Sequence, residues 1–250
     1  MENSTDQKRE TVVRIENLSK SFQDNTVLRN VNLSIQKGEN AVIIGQSGIG
    51  KSVLIKCMVR LIAPDSGKIE IFGREIPNLD EEELNAVRKR IGFLFQGNAL
   101  YDSMTVRENL EFPLVRNKLV SSKQELEAQV FEALDNVGLR EAVDLLPSEL
   151  SGGMQKRIGL ARTLILRPEI ILYDEPTTGL DPITSKEISN LIIKLQKKYH
   201  TTAIIITHDI SCVRLTANII HVLKDGVLYA SGKYNELKSS EDPWIYNFFN

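Results

Sequence analysis

Residues 45–52 read Gly45-Gln46-Ser47-Gly48-Ile49-Gly50-Lys51-Ser52. The run fits the pattern G-x-x-x-x-G-K-[ST]. It follows a continuously apolar segment, Ala41–Ile44, and precedes a helical segment, Val53–Arg60. A strand, a glycine loop and a helix in that order form an anion cradle. The glycines let the backbone wrap closely around oxygen atoms with amide N–H groups pointing inward, and the helix start adds its positive dipole end. Lys51 supplies a mobile positive charge for β and γ phosphates, and Ser52 offers a hydroxyl to Mg²⁺.

Outward from this loop, short apolar strands alternate with helical patterns, which predicts an α/β fold. Val31, Leu33 and Ile35 alternate with polar residues, as in a half-exposed strand, and Lys37-Gly38-Glu39 turns the chain. The unbroken run Ala41–Ile44 suits a central strand covered on both faces. Ile69 and Ile71 alternate again after a turn at Pro64–Gly67. The early strands therefore read as antiparallel and the later ones as buried and parallel. Thr105 with Glu108, and Ser122 with Glu125, have the spacing of capping boxes. Leu126, Val130, Leu134 and Val137 form one helix face that Gly138 can close. Asp181-Pro182 starts another helix, with Ile188, Leu191, Ile192 and Leu195 as its core stripe. Lys224-Asp225-Gly226 predicts a tight hairpin. The stretch from about 98 to 150 is helical without strands and reads as an insertion, while residues 1–10 are expected to fray.

Two further segments carry chemistry. Ile170-Ile171-Leu172-Tyr173-Asp174-Glu175 is an apolar strand ending in two carboxylates. A parallel strand beside the first would bring them to the same phosphates at the carboxyl edge of the sheet. Asp174 suits Mg²⁺, a hard cation that keeps its waters, and Glu175 would orient or deprotonate an attacking water. Ile204-Ile205-Ile206-Thr207-His208 is another buried strand, and it ends at one of only three histidines. Leu150-Ser151-Gly152-Gly153-Met154-Gln155 precedes a helix at Met154–Leu166 and makes a second anion-binding helix end.

Composition narrows the class. The 250 residues hold 31 Lys and Arg against 33 Asp and Glu, a formal charge of −2. With 42% hydrophobic and 26% charged residues, the chain has ample apolar surface for a core. No cationic excess favours nucleic acid as a partner. The longest apolar runs are far short of the roughly 20 residues of a membrane span. The N-terminal residues lack the apolar core of a signal peptide. Cys57 and Cys212 give neither a disulfide framework nor a metal spacing. Work at a membrane would need a partner chain as anchor.

The set LSGGMQ at 150–155, GQSGIGKS before it and ILYDEP after it resembles the nucleotide-binding subunit of an ABC transporter. The resemblance runs from about Val12 to Gly232. It implies a P-loop NTPase fold of the ABC type: a mixed sheet core with N-terminal antiparallel strands and an inserted α-helical subdomain. On that pattern residues 11–238 form one domain, with a core at about 11–97 and 167–238, a helical subdomain at about 98–166, and an aromatic tail at 239–250. The implied activity is hydrolysis of ATP with Mg²⁺. Two cassettes would sandwich two ATP molecules, with Ser151 and Gly153 of one subunit meeting the γ-phosphate held by Lys51 of the other. Gly152, Gln155, Val53 and Asp181, the last in the loop Gly179-Leu180-Asp181 that crosses between subunits, are implied nucleotide contacts. Gln96 resembles the glutamine that senses Mg²⁺ and the attacking water. His208 resembles the histidine at the γ-phosphate, and Phe22 the aromatic that stacks on adenine. The segment at Ala99-Leu100-Tyr101 would lie near the groove for a membrane partner's helix.

A narrower resemblance is to the ATPases of Mla-type phospholipid transporters, which work with MCE-domain proteins. It rests on Gly48–Lys51, on Phe95-Gln96-Gly97-Asn98-Ala99-Leu100, on ELSGGMQKRIGL at 149–160, and on the ending from Asp242 to Phe249. Thr177-Thr178-Gly179-Leu180-Asp181 departs from the branch towards the general ABC form, and Ser52-Val53 lacks the second hydroxyl residue common there. The resemblance implies a homodimer held by transmembrane permease subunits at the cytoplasmic face of the inner membrane, with an MCE-domain lipid-binding protein as partner. ATPases serving amino acids, metal ions or lipoprotein release share the same chemistry, as does a switch in cell division. Four of the last seven residues, Trp244, Tyr246, Phe248 and Phe249, are aromatic. Such a surface either folds back on its own domain or docks on another chain.

Overall fold

The computed structural model describes residues 10–97 and 99–250. The fraying expected at 1–10 falls outside them except at Glu10, whose carbonyl accepts a hydrogen bond from Lys37 N at 2.8 Å. Strands β1 (Thr11–Phe22) and β2 (Asn25–Gln36) form an antiparallel hairpin, followed by β3 (Asn40–Ile44) and α1 (Lys51–Met58). Then come β4 (Ser66–Ile71), β5 (Arg74–Glu75), α2 (Glu81–Lys89) and β6 (Ile91–Leu94). The next stretch is helical: α3 (Val106–Arg116), α4 (Lys123–Val137) and α5 (Gly152–Leu164). The chain returns to the sheet with β7 (Ile170–Asp174), α6 (Pro182–Tyr199), β8 (Thr202–Thr207), α7 (Ile210–Thr216), β9 (Ile219–Lys224) and β10 (Val227–Gly232). Two short helices, α8 (Tyr234–Lys238) and α9 (Pro243–Phe249), end it.

These strands make two sheets, an antiparallel one in the order β2-β1-β4-β5 and a mixed one in the order β10-β9-β3-β8-β7-β6. The second is parallel except for its edge strand β10. Its central strands are apolar without alternation because both faces are buried. Val42 and Ile44 join one core cluster, while Ala41 and Ile43 join the other. Ile171 and Tyr173 divide from Ile170 and Leu172 in the same way. One cluster lies with the antiparallel sheet and α1; the other carries α3 to α9.

The strand that carries the acidic pair sits one place further from the phosphate-loop strand than expected. Strand β7 does not lie beside β3; β8 is inserted between them and pairs with both. Helices α1 and α5 also begin earlier than their apolar patterns suggested, at Lys51 and Gly152 rather than Val53 and Met154. In each case the capping residue (Gly50 or Ser151) sits directly before the first helical turn, so the motif itself opens the helix.

The local signals otherwise translate into geometry. Thr105 and Glu108 form a reciprocal capping box. Ser122 Oγ accepts from Glu125 N, but Glu125 reaches back to Ser121 N instead, one residue earlier. Asp225 and Gly226 join β9 to β10 with φ of 49° and 80°, the mirror-image turn that fits strand twist. The aromatic tail folds back: Ile245 and Phe249 are buried in the core, Trp244 and Phe248 pack against it, and Tyr246 stays exposed.

Candidate functional site

The loop after β3 is shaped by its glycines. Gly50 has a φ of 112°, and a Cβ there would come 2.7 Å from Val27 Cγ1. At Gly45 a Cβ would meet Leu223 O at 2.6 Å. No other residue type gives the backbone this shape in this space. Lys51, the first residue of α1, is buried. Its Nζ donates to Gly45 O at 2.8 Å and Gln46 O at 3.1 Å, and lies 3.3 Å from Glu175 Oε1. The charge is thus held inside the loop it would serve.

The strand β7 ends beneath this loop. Ser52 Oγ donates to Asp174 Oδ1 at 3.0 Å, which joins α1 to β7 across the intervening β8. Burial raises the Asp174 carboxyl above its usual range, and the Ser52 hydrogen bond opposes that shift. Glu175 follows with a φ of 51°, in the left-handed region. Its N–H donates to Ile206 O at 2.9 Å. Glu175 Oε2 lies 3.0 Å from His208 Nδ1 and accepts from Thr178 Oγ1 at 3.2 Å. The carboxylate therefore bridges a cation from α1 and a histidine from the end of β8.

Gln96, Val53, Thr178 and His208 line one cleft together with Ser47, Gly48, Gly50, Lys51, Ser52 and Glu175. Gly45 and Gln46 contribute to it through the carbonyls that hold Lys51. Ile49 instead packs its side chain against the core. Phe22 lies exposed at the end of β1, with Lys20 Nζ 5.2 Å from its ring centroid.

Ser151, Gly152 and Gly153 lie elsewhere, in a second cleft shared with Gly179, Leu180, Asp181 and Thr184. Ser151 Oγ caps α5 by accepting from Met154 N at 3.3 Å. A Cβ at Gly153 would meet Thr184 Cγ2 at 2.7 Å, so α5 packs closely on α6 there. Asp181 caps α6, and the Thr184 hydroxyl and backbone hold its carboxyl below the usual range. Gln155 turns away from both clefts, donating to Pro147 O at 2.9 Å. Its amide serves the turn before α5, and only its place in the motif suggested otherwise.

Two residues of the first cleft's surroundings escaped the sequence reading. Thr178 holds Glu175, and Lys156 on α5 is buried with its Nζ 2.6 Å from Gln96 O. A lysine set among the apolar positions of α5 was the available signal for the second.

For a divalent cation, the fit is that of a site completed by its substrate. Ser52 and Asp174 present hard oxygens to each other at 3.0 Å, and Gln96 lines the same cleft. A cation beside Asp174 would relieve the burial cost of its charge. Among the described residues no group of three His, Cys, Asp or Glu side chains forms a cage. Few protein ligands, with phosphate and water supplying the rest, is the pattern of nucleotide-bound Mg²⁺.

This architecture defines a class, the ATP-hydrolysing cassette. Comparison with known proteins makes the assignment: the family described as ABC transporter matches residues 28–178, and the chain belongs to it. It is an ABC ATPase subunit of a transporter. It is 36% identical to the intermembrane phospholipid transport system ATP-binding protein MlaF of Haemophilus influenzae, over 96% of this chain and 90% of that one. The MlaF of Escherichia coli K12 is 37% identical over 89% of this chain and 82% of its own. The probable ribonucleotide transport ATP-binding protein mkl of Mycobacterium leprae is 37% identical over 95% and 68%. Among solved structures, the ATP-binding cassette MJ0796, a dimer in a post-hydrolysis state with ADP and Pi, superposes with a TM-score of 0.81 at 35% identity. That match covers 88% of this chain and 98% of the other.

Proposed function

We propose that this chain hydrolyses ATP to energise movement of phospholipid between envelope membranes through a separate permease. The observation that carries the chemistry is the Glu175 carboxylate, held between Lys51 and His208 at the foot of the phosphate loop. Likeness to the two MlaF proteins supports the cargo. Likeness to mkl supports a second reading, transport of a nucleotide-like solute by the same ATPase.

In the proposed reaction, Lys51 leaves the carbonyls of Gly45 and Gln46 for the β and γ phosphates, while the loop amides bind the remaining oxygens. Glu175 takes a proton from the attacking water, and His208 holds the γ-phosphate side. Ser52, Asp174 and Gln96 would hold Mg²⁺, which neutralises charge on the phosphates when bound. Phe22 is proposed to stack on adenine, its exposure leaving a face free.

The signature cleft of Ser151–Gly153 lies apart from the phosphate loop, which supports a homodimer in which each chain completes the other's site. Asp181 would cross that interface. Residues from about 98 to 166 would act as the helical subdomain that carries the signature within a single domain at 11–238. Among the described residues no helix is long and apolar enough to cross a membrane. In the proposed assembly transmembrane permease subunits form the membrane path and hold this chain at the cytoplasmic face of the inner membrane, with an MCE-domain protein as a further partner and no nucleic acid.

The test is purification of the chain with the products of its neighbouring genes, followed by mass spectrometry of proteins and bound lipid. Phospholipid with a permease and an MCE-domain protein is expected. A complex that binds nucleotides or another solute and no lipid would favour the second reading.

A further inference from the structure

Helix α5 opens with the signature residues and places Lys156 on its second turn. Lys156 is 3% exposed. Its Nζ donates to Gln96 O at 2.6 Å. Six residues further on, Arg162 donates to the carbonyl of Ala99, and its guanidinium lies 4.5 Å from the Tyr101 ring centroid. Two cations of one helix thus grip the segment containing Gln96 through its backbone.

An ammonium loses hydration on burial, and burial pulls the Lys156 pKa below the usual lysine range while the charges of Asp174 and Glu175 oppose that shift. A methionine would fill the same space without a buried charge. What the charge adds is a strong bond to one particular carbonyl and a positive field towards the acidic pair.

We infer that Lys156 is a positioning residue for hydrolysis: it fixes the Gln96 backbone against α5, so that the Gln96 side chain stays at the cleft in register with the signature helix. This rests on the proposed ATPase site. The consequence is that the two nucleotide-facing parts of the chain, Gln96 and the Ser151 end of α5, move as one body.

The test uses the full chain with Lys156→Met and Lys156→Arg. Hydrogen exchange of peptides spanning 93–101, measured without nucleotide, reports the grip; kcat and KM for ATP report its effect. Lys156→Met is expected to speed exchange in that segment about fivefold, with β3 and α1 unchanged. It should lower kcat about tenfold and leave KM within about twofold, because positioning is lost and binding is not. Lys156→Arg, which keeps charge and donors, should restore both. If Lys156→Met does not fold, Lys156→Gln takes its place with the same expectations for exchange and kcat. Unchanged exchange or unchanged kcat in the neutral variant would overturn the inference. So would equal loss in the arginine variant with a lowered melting temperature, which marks a structural role alone. A wild-type chain without turnover would instead sink the hydrolytic reading, and the exchange result would still judge the grip.

Discussion

At the scale of single residues, the site combines strain with charge. Glu175 is a non-glycine residue at a φ of 51°, a conformation that costs about 1–3 kcal/mol and persists only where neighbours hold it. Ile206 O, Thr178 and His208 do the holding. Glu175→Gln keeps the shape and removes the proposed base, so ATP binding should survive while turnover falls to background; single-turnover kinetics would check this. Lys51→Ala should raise the Kd for ATP by about ten- to a hundredfold, the worth of one charged hydrogen bond, as measured by titration calorimetry. Gly50→Ala meets both a φ of 112° and the 2.7 Å approach of Val27. Loss of about 1–3 kcal/mol in denaturant unfolding is expected.

At the scale of elements, what could be read from the residues was whatever a local pattern encodes. The apolar run at 41–44 became β3, the Asp225-Gly226 turn became a hairpin, and Thr105 with Glu108 became a capped helix start. The order of parallel strands was not legible. Strands β3, β7 and β8 are each buried on both faces, so their sequences look alike and nothing local says which two are neighbours. The Asp80–Glu83 capping box of α2 has the same three-residue spacing as Thr105 and Glu108, so it too is legible in the residues. In the site, the motifs located the loop, the acidic pair and the signature. They did not reveal that the Gln155 amide faces a backbone turn, because the direction of a side chain depends on the helix's packing. The start of α5 supplies a prediction at this scale. Ser151→Arg places a bulky charge on an exposed helix cap, outside the loop cleft. Hydrolysis should fall to background while ATP binding by the single chain stays within about twofold.

At the scale of the whole molecule, stability carries a pH signature. His221 is buried, its Nδ1 2.8 Å from Ser231 Oγ, and burial pushes its pKa down to about 4. An unfolded histidine titrates near 6.5. The neutral ring therefore contributes fully above about pH 6.5, and its contribution is lost as pH falls towards 4. Between pH 7 and 5 this amounts to about 2 kcal/mol, and His221→Leu should flatten the unfolding free energy over that interval by a similar amount. The tail answers to packing. Truncation after Pro243 removes the buried Ile245 and Phe249, at roughly 1.5–3 kcal/mol each, so the melting temperature of the isolated chain should drop. An unchanged melting temperature would show that the tail holds nothing of its own domain. Finally, the placement of the loop cleft and the signature cleft on different parts of one chain has a genetic consequence. Defects in the two are separable lesions. Mix equal amounts of a chain dead at Lys51 with one dead at Ser151, and in the proposed homodimer each mixed pair concentrates both lesions in one site and leaves the other whole. About a quarter of all sites should then work, from two parents that have none. Two null alleles would complement.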